Sequence, residues 1–140
     1  MQRVITVLIG AAAVGSGLAV VSPAAAAPGA EHIPTSVSHA RIDYTDAQDA
    51  SHNQHVRLHG KRAQHLVTLF DELKREPRNT VHCDAIGGPT TTVTFHGPNH
   101  TWVAKQATCT NIVVTRDGKS LRTLLPSKAW TKAVNSDLGR

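Results

Sequence analysis

Thr90-Thr91-Thr92-Val93-Thr94-Phe95-His96-Gly97-Pro98-Asn99-His100-Thr101-Trp102-Val103-Ala104-Lys105-Gln106-Ala107-Thr108 is the stretch that decides the fold. Thr91, Val93 and Phe95 alternate with Thr90, Thr92 and Thr94, a β-branched run whose two sets of side chains point to opposite faces of a strand. His96-Gly97-Pro98-Asn99 supplies turn chemistry and a second run over residues 101–108 follows, which predicts a hairpin. A third run over residues 111–115 leads through Arg116-Asp117-Gly118-Lys119 into a fourth over residues 120–125. The Asp-Gly pair suits a tight two-residue turn. Pro126 and Ser127 then open a closing helix in which Trp130, Val134 and Leu138 recur at i, i+4 and i+8, with Gly139 just past its end.

Upstream of this β region the period changes. Over residues 61–76, Ala63, Leu66, Val67, Phe70 and Leu73 recur on one helical face, and Pro77 follows. Before the helix, His55-Val56-Arg57-Leu58-His59 alternates polar and apolar as a strand does, and Gly60 ends it. Residues 27–53 carry apolar side chains only singly, at Ile33, Val37, Ile42 and Tyr44, among Ala, Pro, Ser, Thr, His and Asp. That composition reads as a flexible lead with at most one short strand around residues 41–44. The expected fold is α+β: a four- to five-stranded antiparallel sheet with the central amphipathic helix and the C-terminal helix packed on one face. The expected division is a leader over residues 1–26, a flexible lead over 27–53 and one domain over 54–140.

The leader is read from Arg3, an apolar run over residues 4–21, and the small residues Ser22-Pro23-Ala24-Ala25-Ala26-Ala27. This is the order of a secretory signal peptide, with cleavage after Ala26 or Ala25. Glycines interrupt the run and no basic cluster follows it, which argues against a membrane anchor. The chain has 140 residues and a formal net charge of +5, an excess that favours anionic surfaces such as cell-wall polymers but says little about fold. Two cysteines, Cys83 and Cys109, lie in the exported part, and in an oxidising compartment such a pair reads as a disulfide. Closing a loop of about 25 residues would stabilise the fold by about 3 to 4 kcal/mol. A zinc site is the alternative, but neither cysteine has a second thiol or His close by.

Histidine is the enriched residue type, with nine in the chain. His52, His55 and His59 lie at i, i+3 and i+7, which on a helix would gather three imidazoles for a metal ion. On the strand that Val56 and Leu58 suggest, His55 and His59 share a face with Arg57 between them, and the guanidinium would oppose a cation. His96 and His100 flank the hairpin turn. Catalytic signatures are missing: the strands over residues 90–125 contain one acid, Asp117, placed in a turn, and no Gly-x-Ser-x-Gly elbow is present.

Cys83, Gly88, the run ending in Thr94-Phe95, Cys109 with Ile112-Val113-Val114, and Trp130 resemble uncharacterised small secreted actinobacterial proteins that carry a single disulfide. The segment Cys83-Asp84-Ala85-Ile86-Gly87-Gly88-Pro89 also resembles the reactive loop of the subtilisin-inhibitor family, in the places of its cysteine and proline. That resemblance implies Ala85-Ile86 as the inhibitory pair; the family's other disulfide has no counterpart here. The expectation is a secreted, non-enzymatic binding module for an extracellular protein or an anionic cell-wall polymer, with a protease-inhibitor-like protein as its sharpest form. It involves no cofactor, no nucleic acid and no membrane after cleavage. The alternative is a small extracellular His-dependent metal-binding or hydrolytic protein.

Overall fold

A computed structural model of the chain describes residues 32–76, 88–108 and 110–140. Residues 1–26, expected to form a signal peptide, lie outside the described residues, as do Cys83, Cys109 and the Ala85-Ile86 pair. The described part is α+β: six strands form one antiparallel sheet, accompanied by two α-helices. In chain order the elements are β1 (His39–Thr45), a 3₁₀ turn (Ala50–His52), β2 (Gln54–His59), α1 (Gly60–Asp71), β3 (Thr90–His96), β4 (Thr101–Ala107), β5 (Ile112–Arg116), β6 (Lys119–Leu124) and α2 (Lys128–Asp137). The order across the sheet is β2-β1-β3-β4-β5-β6. The sheet thus has six strands rather than the expected four to five.

The extra strand comes from residues expected to be a flexible lead. β1 lies inside the sheet between β2 and β3, in direct register with both, and Ile33, Val37, Ala40, Ile42 and Tyr44 are buried. The domain therefore begins ahead of residue 54. Composition misled because a strand buried on one face needs only every second residue to be apolar. Ala40, Ile42 and Tyr44 meet that requirement while His39, Arg41, Asp43 and Thr45 keep the segment polar on average.

The meander from β3 to β6 follows the alternation in its sequence. Val93 and Phe95 are buried, and their cross-strand partners Ala104 and Trp102 are buried with them. Asp117 (φ 49°) and Gly118 (φ 79°) take up the left-handed conformations that a tight hairpin turn demands. The closing helix begins as its sequence predicts: Ser127 accepts a hydrogen bond from the Trp130 N–H at 3.1 Å, the ordinary N-cap contact. α1 ends at Asp71, earlier than its periodicity suggests. Beyond it Leu73 is still buried, but residues 74–76 join the edge of β6. The Glu76 N–H donates to the Thr123 carbonyl at 3.1 Å and the Leu125 N–H to the Lys74 carbonyl at 2.9 Å. A sheet edge with open backbone groups took those residues from the helix.

The core is aromatic at its centre. Phe70 of α1, Phe95 of β3 and Trp130 of α2 meet ring to ring, with centroids 5.5, 6.0 and 6.5 Å apart. Each such pair adds about 0.5 to 1.5 kcal/mol beyond the area it buries. Beside them Glu76 and Asn111 are buried polar residues, and the Asn111 side-chain amide donates to the Glu76 carboxylate.

Candidate cationic sheet face

The registers of the six strands place the non-core residues of the strands on one face. Across β2, β1 and β3 that face is built in rows. His59 stands opposite His39 and His39 opposite His96; the next row is Arg57, Arg41 and Thr94; the next is His55, Asp43 and Thr92, continued on β4 by Lys105. Directly opposed residues of antiparallel strands bring their Cβ atoms to within about 4.5 to 5.5 Å, so each row is a contact set. In the first row the His39 and His96 rings stack at 4.4 Å with planes 16° apart, and the His59 ring lies 5.8 Å from His39. These residues are exposed or half-exposed, in contrast to Leu58, Ala40 and Phe95 beside them in sequence, which are fully buried.

The electrostatics of this row differ from those of His32, His52 and His100. His32 lies 3.6 Å from Asp71, His52 lies 3.7 and 3.6 Å from Asp46 and Asp49, and His100 bonds Asp117 at 2.6 Å. The Asp117 carboxyl is held below its usual value by the Thr101 backbone N–H and then by His100. In the His59–His39–His96 row there is no carboxylate partner among the described residues; its neighbours are each other and Arg57. Desolvation, followed by His96, Arg57 and His59, lowers the pKa of His39 below its ordinary 6.5. Asp43 is the acid closest to the rows, and it is already engaged by Arg41, whose Nε and Nη2 lie 2.8 and 2.7 Å from its Oδ1. A shallow concavity lined by Arg41, His55, Val56 and Arg57 adjoins the row. The face thus gathers the guanidiniums of Arg41 and Arg57, the Lys105 ammonium and four imidazoles against one carboxylate.

One hydroxyl orients the central ring. Ser38 Oγ donates to the His96 carbonyl at 3.1 Å and lies 2.9 Å from His39 Nδ1. A hydroxyl has a single proton. It serves the carbonyl or the ring nitrogen, and in either case the contact at Nδ1 fixes the orientation of the His39 ring.

The trio His52, His55 and His59 does not converge. His52 ends the 3₁₀ turn and faces Asp46 and Asp49, whereas His55 and His59 lie on β2 with Arg57 between them. Among the described residues no group of three or more His, Cys, Asp or Glu side chains is placed to hold a metal ion. Sequence reasoning missed His39 entirely and treated His96 as a turn residue. The available signal was parity, since His39, Arg41 and Asp43 share a face with one another, as do His55, Arg57 and His59. Knowing that these two faces coincide required the pairing register.

Elsewhere, a cavity of about 40 Å³ between α2 and the sheet, lined in part by Thr91, Gln106, Trp130 and Asn135, has room for a few waters and none for an organic ligand. No helix among the described residues is long and apolar enough to cross a membrane. Compared with models of protein families, with curated proteins and with solved structures, the chain finds no match.

Proposed function

We propose that this protein is a secreted, non-enzymatic binding module that takes an extracellular anionic polymer on the open face of its sheet, with both helices covering the opposite face and a Cys83–Cys109 disulfide closing the fold. The observation that carries this reading is the set of rows made by His59, His39 and His96 and by Arg57 and Arg41, exposed and countered by a single carboxylate. Stacked imidazoles beside guanidiniums repel one another once charged and do nothing for the core. An anion lying across them turns that repulsion into attraction. Same-face residues along a strand repeat about every 6.8 Å, so successive rows meet successive charges of an extended chain. Phosphate and carboxylate polymers share the required chemistry, and the guanidiniums of Arg41 and Arg57 suit either.

The test is binding of the purified protein to inorganic polyphosphate and, separately, to polygalacturonate, at low and high salt. Salt-sensitive binding is expected, weakened about tenfold for each of Arg57→Ala and Arg41→Ala. Equal binding by the wild type and the double variant would discard the face as the site. The relative strength of the two arms distinguishes phosphate from carboxylate.

A second reading is supported by the motif from Cys83 to Pro89. The Pro89 carbonyl accepts hydrogen bonds from the Thr108 N–H at 3.0 Å and from its hydroxyl at 2.9 Å, so the entry to β3 is tied to the end of β4, the kind of base on which an inhibitory loop is presented. It predicts slowed hydrolysis by subtilisin-like proteases. Digestion at Ala85-Ile86 without inhibition would dispose of it.

A further inference from the structure

We infer that capture of the polyanion is linked to protons: the His59–His39–His96 row takes up protons as the anion binds, so the face holds its ligand under mildly acidic conditions and releases it as the pH rises. This rests on the binding reading above and adds to it a regulation of the same site.

The argument begins with what surrounds His39. From β2 it meets His59 and Arg57, from β3 it meets His96, and along its own strand it has Arg41, with the Ser38 hydroxyl on its Nδ1. Every charged or titratable group in that set is a base, and the one acid nearby, Asp43, is engaged by Arg41. Without a ligand, protonation of the row therefore works against itself, because imidazoliums stacked at 4.4 Å repel each other as well as Arg57. An anion laid across the row reverses the sign of the nearest charge. It stabilises the imidazoliums, and by reciprocity their protons strengthen the hold on the anion.

The geometry leaves a place for the proton. Ser38 Oγ, 2.9 Å from His39 Nδ1, can accept a hydrogen bond from that nitrogen when the ring is doubly protonated, so the imidazolium is accommodated without moving the ring. Histidines that already sit against a carboxylate, such as His100 on Asp117 and His52 between Asp46 and Asp49, have their counter-charge in place and would change little on binding. The row is thus distinguished from His52 and His100 by position rather than by residue type.

The experiment is calorimetric titration of the purified protein with inorganic polyphosphate at pH 5.5, 6.5 and 8.0. At pH 6.5 it is repeated in two buffers of different ionisation enthalpy, which reads proton uptake directly. Expected are binding up to about tenfold tighter at pH 5.5 than at 8.0, the limit for one imidazole pKa raised by one unit, and net proton uptake at pH 6.5. In His39→Gln combined with His96→Gln, both the uptake and the pH dependence should largely vanish while the Arg-dependent binding at pH 8.0 persists. His65→Gln, on the exposed side of α1 away from the face, should behave as wild type. Circular dichroism of each variant at each pH confirms that it is folded. Binding that is equally tight at all three pH values with no proton uptake overturns the linkage and leaves the binding reading standing. Absence of binding at every pH overturns both.

Discussion

Leu58, Ala40 and Phe95 form a cross-strand row on one face of the sheet; His59, His39 and His96, each the chain neighbour of one of them, form the adjacent row on the other. The first row is fully buried, and what it needs is volume and apolarity. The second is exposed to half-exposed, and no packing requirement explains three imidazoles beside two arginines there. Alternation in a strand lets one sequence meet two unrelated demands, because neighbouring residues face different solvents. The contrast teaches that the inner face accounts for stability, whereas the outer face carries residues that stability does not require, the basis of the binding proposal.

That contrast can be broken at its strongest point by Phe95→Ala. Phe95 packs against both Phe70 and Trp130, so its truncation should cost about 3 to 5 kcal/mol in denaturant unfolding. A loss of less than about 1 kcal/mol would mean that the aromatic cluster is not the centre of the core. Next in size is Asn111→Ala, which takes from the buried Glu76 carboxylate its amide donor. An expected loss of about 1 to 3 kcal/mol follows from leaving a buried acceptor short of a partner. Ser127→Ala removes the cap of α2, and a loss of about 1 kcal/mol, with Ser127→Gly milder, would place the effect at the helix terminus.

On the outer face the expected effects on stability are smaller and depend on pH. The folded-state pKa of His39 lies below its ordinary 6.5, so the folded protein binds fewer protons at this site than the unfolded chain. Its contribution is complete above pH 6.5 and is lost as pH falls through the lower, folded value. His39→Gln should therefore flatten the decline of stability between neutral and mildly acid pH, as followed by unfolding midpoints. A slope unchanged by the substitution would show that the surrounding bases do not act on His39. Smallest of all, Thr94→Val keeps the β-branched shape next to Phe95 and should stay within about 0.5 kcal/mol of wild type, a measurement that sharpens the comparison between adjacent residues of β3.

Local patterning made much of the fold legible. The run of Thr91, Val93 and Phe95, the Asp117-Gly118 turn, the Ser127 cap and the helical face of Ala63, Leu66, Val67 and Phe70 each state a local preference that the tertiary structure keeps. β1 was not legible as an interior strand, because its polar face dominates its average composition and hides the alternation of Ala40, Ile42 and Tyr44. The end of α1 was also misjudged, since residues 74–76 pair with β6 and that partner lies about fifty positions further on. The site was the least visible. His39, His59 and His96 are separated by long stretches of chain, and only the pairing registers bring them together.

By itself, then, the sequence determined most of the element types, both well-formed helix faces, the tight turn and the enrichment in histidine. Such features depend on interactions within a few residues, where propensity, capping and periodicity act directly. Only the tertiary structure decided that β1 sits between β2 and β3 and that His39 stands between two other imidazoles with Arg57 close by. Register is a non-local choice, made when the apolar halves of distant strands are buried together, and the polar halves come into alignment as its consequence.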